Sequence, residues 1–322
     1  TSTALVLIEK TLMQKVESIK KIITIKIIKE RKEQFTSKSM KIHIINPIGF
    51  CFGVTRAIDI ASKLDKSKKI TFLGMVVHNE EVISSFSSAN INIIDERKHD
   101  LKEALLQVED GTIVVFSAHG HPKEYEEIAR KKNLIQIDTT CPLVALNLKL
   151  GLDYASEGLI YIGSKNHLEA SSFRLNCPAS YFFDISSYSY LAKPEIDIKH
   201  VISQTTLSTS EVDKAIKIIQ KDYPNAKLER SVCDATKARQ VALSNLEDDY
   251  DAIIVIGSSS SSNTNKLFSI AKNKNKNSFL MLNSNELKQI KDLPKYKKIA
   301  LCSGTSASMK TIDECLEYLR SL

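Results

Sequence analysis

Three cysteines, Cys51, Cys141 and Cys233, stand 90 and 92 residues apart, and each follows a short β-like run and precedes a helix-like one. Backbone N–H groups and the dipole at a helix N-terminus favour thiolate, so a lowered thiol pKa is expected at all three. Three thiolates meeting at one centre can hold a metal or cluster and leave one coordination position open for chemistry. A single cysteine at a strand end is usually a small buried hydrophobe. Three in equivalent positions weaken that reading. Cys177, Cys302 and Cys315 lack the pattern and are assigned to packing.

A second group of residues suits an anion. Val77-His78-Asn79, Ser117-Ala-His119-Gly120, Ser164-Lys-Asn-His167-Leu-Glu169, Gln204-Thr205-Thr206-Leu-Ser208, the serines 258–262 with Asn263, and Ser303-Gly-Thr-Ser306 each follow an apolar run that reads as a strand. Alone, each Ser or Thr would be a helix cap and each His a structural residue. Six such motifs at strand C-termini point instead to a site, and imidazoles, hydroxyls and helix N-termini suit a phosphate or diphosphate. Neither a P-loop nor a G-x-G-x-x-G is present, so a bound nucleotide is not indicated.

The elements that must position these residues are short apolar strands alternating with helical stretches, which imply parallel sheets with right-handed crossovers. Strands are expected at 70–73, 91–94, 112–116 and 134–137, then at 159–162, 180–183, 200–203 and 226–229, and last at 252–256, 278–282 and 298–301. The final third is one strand short, and Lys41–Asn46, which leads into Cys51, would complete it. The expected fold is α/β: three similar units with small, mostly parallel sheets, arranged with pseudo-threefold symmetry around a central cluster site. The units are 51–140, 141–232 and 233–322, with 40–50 as the strand completing the third and 1–39 as an appended N-terminal extension.

Composition narrows the classes. A chain of 322 residues, 43% hydrophobic, can bury a large core. No apolar run reaches the 18 or so residues that span a bilayer, so no membrane association is expected. Six cysteines in such a length do not make a disulfide scaffold, and no secretory signal is recognised. A reducing compartment is expected: the cytoplasm, or a plastid-type organelle if residues 1–39 are a targeting remnant. Residues 1–39 hold nine Lys/Arg and four Asp/Glu, and so carry +5 of the net +7. The remaining body is too close to neutral for a nucleic-acid face.

Gly49-Phe-Cys-Phe-Gly-Val-Thr-Arg-Ala-Ile58, Val77-His-Asn79, Ser117-Ala-His-Gly120, Asp138-Thr-Thr-Cys-Pro-Leu-Val144, Gln204-Thr-Thr-Leu-Ser208, Cys233-Asp-Ala-Thr-Lys-Ala-Arg-Gln240 and Ser261-Ser-Asn-Thr-Asn265 together resemble the LytB/IspH family of 4-hydroxy-3-methylbut-2-enyl diphosphate reductases. The likeness runs in order from about Met40 onward. It implies an iron–sulfur enzyme of the last step of the methylerythritol phosphate route. Such enzymes reduce a hydroxylated allylic diphosphate with two electrons and two protons, releasing water and giving isopentenyl and dimethylallyl diphosphates. The resemblance implies one [4Fe-4S] cluster per chain, held through three irons by Cys51, Cys141 and Cys233. The fourth iron would take the substrate hydroxyl as a Lewis acid and deliver electrons.

By the same resemblance Glu169 is the proton source, with Thr205 and His167 holding the hydroxyl end and relaying protons. His78, His119, Ser261, Ser262, Asn263 and Ser306 would grip the diphosphate. A ferredoxin or flavodoxin is implied as electron donor, and a monomer or weak homodimer as the assembly. An acid must reach the leaving oxygen, and negative charge around Glu169 should raise its pKa and keep a proton available. The family's Gly-His-Pro-Glu loop reads Asn166-His-Leu-Glu169 here, Ala238 stands where Asn is common, and the last motif reads Cys302-Ser-Gly-Thr-Ser306, which keeps the serine. None of these departures removes a thiol or the acid.

Two other classes are weighed against this one. A structural or regulatory zinc protein could use the three cysteines and one histidine, although such sites pair cysteines a few residues apart. An RNA-binding module is disfavoured by the near-neutral body.

Overall fold

The computed structural model describes residues 40–86 and 89–322, so the extension expected at 1–39 lies outside the described residues. Among the described residues, thirteen strands form three sheets. The first holds β2 (Ile70–Leu73), β3 (Ile91–Ile94), β4 (Ile113–Phe116) and β5 (Ile135–Asp138) in the order β3-β2-β4-β5. The second holds β6 (Leu159–Gly163), β7 (Tyr181–Asp184), β8 (Ser189–Tyr190), β9 (His200–Ser203) and β10 (Lys227–Arg230) in the order β10-β9-β6-β7-β8. The third holds β11 (Ala252–Ile256), β12 (Ser278–Met281), β13 (Lys298–Ser303) and, at its edge, β1 (Lys41–Ile44), in the order β1-β13-β11-β12.

One topology is used three times. With the short β8 set aside, in each sheet the first strand pairs with the second and third, and the fourth adds beside the third. The third sheet draws its fourth strand from the other end of the sequence: Lys41 to Ile44 lie parallel to Lys298 to Leu301. Every ladder is parallel except β7 with β8, a two-residue antiparallel strand that the sequence reading did not foresee. Only Phe183 with Tyr190 and Asp184 with Ser189 are paired there, too short a run to carry a period-2 signal.

The inner strands are largely apolar because helices cover both faces. Successive side chains alternate between those faces. Phe72 and Val115 therefore enter one core cluster, with Ala57 and Val77, while Leu73 and Phe116 enter another, with Leu105 and Ala129. The other two sheets are packed on both sides in the same way. Among the described residues no helix is long and apolar enough to cross a membrane.

Candidate active site

The loops that follow the strands divide the work consistently. The fourth strand of each sheet (β1, β5 and β10) leads to a cysteine. The first and third (β2, β4, β6, β9, β11 and β13) lead to the His, Glu, Thr, Ser and Asn motifs. All of these loops lie at the carboxyl ends of parallel strands, where open α/β sheets bind ligands.

Cys51, Cys141 and Cys233 are the N-cap residues of the helices Phe52–Ser62, Pro142–Tyr154 and Asp234–Ser244. Each is fixed by the same hydrogen bond. Its N–H donates to the carbonyl of the second residue beyond the third strand: Cys51 to Thr305 at 3.1 Å, Cys141 to Ala118 at 2.9 Å and Cys233 to Thr205 at 3.1 Å. The thiols are half-buried. The Cys233 sulfur also accepts from the Thr236 N–H at 3.4 Å.

The expectation of lowered thiol pKa values is overturned at two of the three. Burial pushes Cys141 and Cys233 up. Donors from Leu143 and Val144, and from Thr236, pull down as the helix argument required, but burial outweighs them. The neighbouring thiols push up as well, Cys51 and Cys233 on Cys141, and Cys51 on Cys233.

These three positions fit a polynuclear, thiolate-bound centre. Gly53 has no side chain where a Cβ would lie 2.6 Å from the Cys141 sulfur, so the approach to that thiol stays open. Among the described residues no three His, Cys, Asp or Glu side chains close on a single ion. Structural zinc sites usually pair cysteines a few residues apart, whereas these stand 90 and 92 residues apart in sequence, which disfavours the zinc reading.

Three imidazoles form the next layer. The ring centroids of His78 and His119 are 4.3 Å apart, those of His119 and His167 5.7 Å, and those of His78 and His167 6.3 Å. Charging two rings at the closest spacing would cost about 4 kcal/mol at an effective dielectric of about 20. Burial comes first and mutual repulsion second for His119, held well below the usual imidazole value, and for His167, pushed down to about 3. Burial also lowers His78, against the opposing charge of Glu96. At neutral pH these shifts favour the uncharged form of all three rings. His167 caps the helix Leu168–Asn176 by accepting the Glu169 N–H on Nδ1 at 3.2 Å, which leaves Nε2 as its donor.

Glu169 lies in the first turn of that helix and is 2% exposed. Its carboxylate accepts from the Thr205 N–H at 2.9 Å, from the Thr205 hydroxyl at 2.7 Å and from the Tyr161 hydroxyl at 3.2 Å. Burial nevertheless lifts its pKa to about 7, because three donors do not replace the lost water.

The third sheet adds polar groups. Ser261 caps the helix Ser262–Lys274 by accepting the Thr264 N–H, and Ser262 receives a hydrogen bond from Thr206 at 3.1 Å. Both amide atoms of Asn263 and the Ser306 hydroxyl are buried without any partner. Buried polar atoms left unpaired are uncommon in folded chains and mark places where a ligand or water belongs. The Asn79 side chain donates to the Ser306 carbonyl at 2.5 Å, which ties the His78 loop to this region.

Two residues near the site escaped the sequence reading. Tyr161 sits in mid-strand and reads as core, so nothing in its position announced a bond to Glu169. Glu96 is almost fully buried, with Oε1 3.6 Å from His78 Nδ1 and Oε2 accepting the Met75 N–H at 2.9 Å. It lies just beyond β3, a second strand whose loop carries no histidine or serine motif.

Residues 42–320 match the model of the LytB protein family. The chain is 31% identical over 291 residues to the 4-hydroxy-3-methylbut-2-enyl diphosphate reductase of Wolbachia sp. subsp. Brugia malayi, covering 87% of this chain and 92% of that protein. It is 32% identical to the reductase of the same name from Bacillus subtilis, covering 85% and 89%. The solved structure of the E-1-hydroxy-2-methyl-but-2-enyl-4-diphosphate reductase from Plasmodium falciparum superposes with a TM-score of 0.77 at 32% identity, covering 87% of this chain and 88% of that one.

Proposed function

This chain belongs to the LytB family, and from that premise we propose that it reduces 4-hydroxy-3-methylbut-2-enyl diphosphate to isopentenyl and dimethylallyl diphosphates with release of water. The reaction consumes two electrons and two protons and breaks one allylic C–O bond. Cys51, Cys141 and Cys233 hold a [4Fe-4S] cluster, one thiol from each unit of the fold: 51–140, 141–232, and 233–322 with its strand at 40–50. When bound, the cluster supplies electrons and an iron position for the substrate hydroxyl. A ferredoxin or flavodoxin is the donor class, and the chain acts as a monomer or weak homodimer.

The observation that carries this reading is the pairing of a buried acid with a neutral-imidazole pocket in loops that alternate with the three cysteines. Glu169, with its pKa near 7, keeps a proton for the leaving oxygen. Thr205, bonded to Glu169 through its hydroxyl, holds that proton's path and the hydroxyl end of the substrate. His167 presents Nε2–H, because its Nδ1 is engaged as a cap. His78 and His119 take the diphosphate with the unpaired polar atoms of Asn263 and Ser306, while Ser261 and Ser262 bring the N-terminus of the helix Ser262–Lys274 to the anion.

The test is anaerobic reconstitution followed by turnover with dithionite and a dye. A brown protein with about four irons per chain and turnover of the hydroxylated diphosphate is expected. Glu169→Gln should keep the iron and lose about 10²-fold or more in rate. A colourless protein, or full turnover by the Gln variant, would sink the assignment.

A further inference from the structure

Arg239 is a charged side chain that the proposed chemistry leaves unused. It lies on the helix Asp234–Ser244 and is 5% exposed. Its Nη2 donates to the Gly49 carbonyl at 2.7 Å, and its Nη1 donates to the Ala235 carbonyl at 3.0 Å. Gly49 is two residues before Cys51 and Ala235 two residues after Cys233. One planar fork therefore spans the two segments that carry those thiols.

Gly49 is held through its other backbone polar group as well, since its N–H donates to the Ser303 hydroxyl at 2.8 Å. Gly49 takes a φ of +79°, a turn that a side chain would strain, and a Cβ there would lie 2.8 Å from the Met309 sulfur. The loop into Cys51 is thus shaped by glycine and pinned through both backbone polar groups of one residue.

The charge of Arg239 has no carboxylate partner among the described residues, and its Nε is buried without a hydrogen bond. A guanidinium is always protonated, and burying one is unfavourable unless an anion sits beside it. The groups that face it electrostatically are Cys51, Cys233 and Cys302. Cys302 is fully buried in β13, where burial pushes its thiol up to about 12, so it remains neutral. The anions that belong beside Arg239 are those that Cys51 and Cys233 present when they ligate metal.

We infer that Arg239 is a positioning residue of the cluster site, clasping the loops of Cys51 and Cys233 and supplying the positive charge that balances their thiolates. This rests on the reading that these cysteines hold the cluster. A fixed cation beside a redox centre favours its reduced, more negative state, so Arg239 raises the midpoint potential. Lysine would keep the charge and lose the fork.

The test compares reconstituted wild type with Arg239→Gln and Arg239→Lys by potentiometric titration and by the rate of iron loss to a chelator. Arg239→Gln should lose tenfold or more in the equilibrium constant for one-electron reduction, a midpoint lower by about 59 mV, and should release iron about tenfold faster. Arg239→Lys should release iron faster at a midpoint close to wild type. A Gln variant equal to wild type in both measurements overturns the inference, and a Lys variant as low in potential as the Gln variant overturns the charge role. Where Arg239→Gln does not fold, Arg239→Lys decides, because a wild-type chelator rate removes the clasp. A wild type that takes up no cluster is a different failure, that of the proposed function.

Discussion

Thr205 grips Glu169 twice, through its backbone N–H to Oε1 at 2.9 Å and its hydroxyl to Oε2 at 2.7 Å. The same residue's carbonyl accepts the Cys233 N–H at 3.1 Å. One residue thus fixes the acid on one side and a thiol-bearing loop on the other. A shift of the loop after β9 would move both together.

Thr205→Val removes the hydroxyl bond and leaves the backbone bond. Thr205 favours the charged form of Glu169, so its loss should raise the acid's pKa above about 7. A hydrogen bond to a carboxylate is worth about 1.5–3 kcal/mol, which corresponds to an alkaline shift of about one unit or more. The alkaline limb of the pH–rate profile should move up while the maximal rate falls. An unmoved limb would show that Glu169 does not govern it.

Glu169 also stores a stability penalty. Its folded pKa of about 7 lies above the ordinary carboxyl value of 4.5, so the folded protein binds the extra proton between them. The stabilisation is full below about pH 4.5 and lost as pH rises through about 7. Metal-free Glu169→Gln should therefore melt a few degrees above wild type at pH 8, with the gap closing toward pH 4.5. A gap of the same size at both pH values would contradict the burial argument.

The histidines titrate in the opposite sense. Their folded pKa values lie below the ordinary imidazole value of 6.5, with His167 at about 3. An anion among them reverses the balance, so binding inorganic diphosphate at neutral pH should draw in about one proton or more. Calorimetry in buffers of differing ionisation heat measures this directly. Binding with no proton uptake would mean that the rings stay neutral and act only as hydrogen-bond donors. Without ligand, their contribution to stability is full above pH 6.5 and fades as pH falls below it.

Gly53→Ala tests the approach to Cys141. A Cβ would sit 2.6 Å from the sulfur, closer than real contacts allow. The metal-free protein should remain folded, since the thiol can turn away. Iron content after reconstitution should fall by half or more, roughly as expected when one ligand is displaced. Full iron loading in this variant would mean that the Cys141 sulfur points elsewhere when bound.

The repeated topology was legible because three features agreed at one period: a cysteine, a preceding apolar run and a following helix. Lys41–Ile44 could be assigned to the third sheet because the other two had shown what that sheet lacked. The short β8 left no trace, as two residues carry no period. Residues with chemistry of their own, such as His167 and Glu169, stood out at strand ends. Tyr161 and Glu96 did not, because each acts by touching another residue. The thiol pKa values were misjudged for a related reason: the helix N-terminus is visible in sequence, whereas the burial that outweighs it is a property of the packed fold.

The pairing of β1 with β13 also orders events during synthesis. The segment with Cys51 leaves the ribosome early but lacks a sheet edge to join until β13 is made. Its anchoring bond from Gly49 to Ser303 spans 254 residues. The segments of Cys141 and Cys233 sit in sheets that are complete long before. A nascent chain stalled ahead of β13 therefore has two supported thiols and one adrift, and the three proposed iron ligands can come together only once β13 has been made.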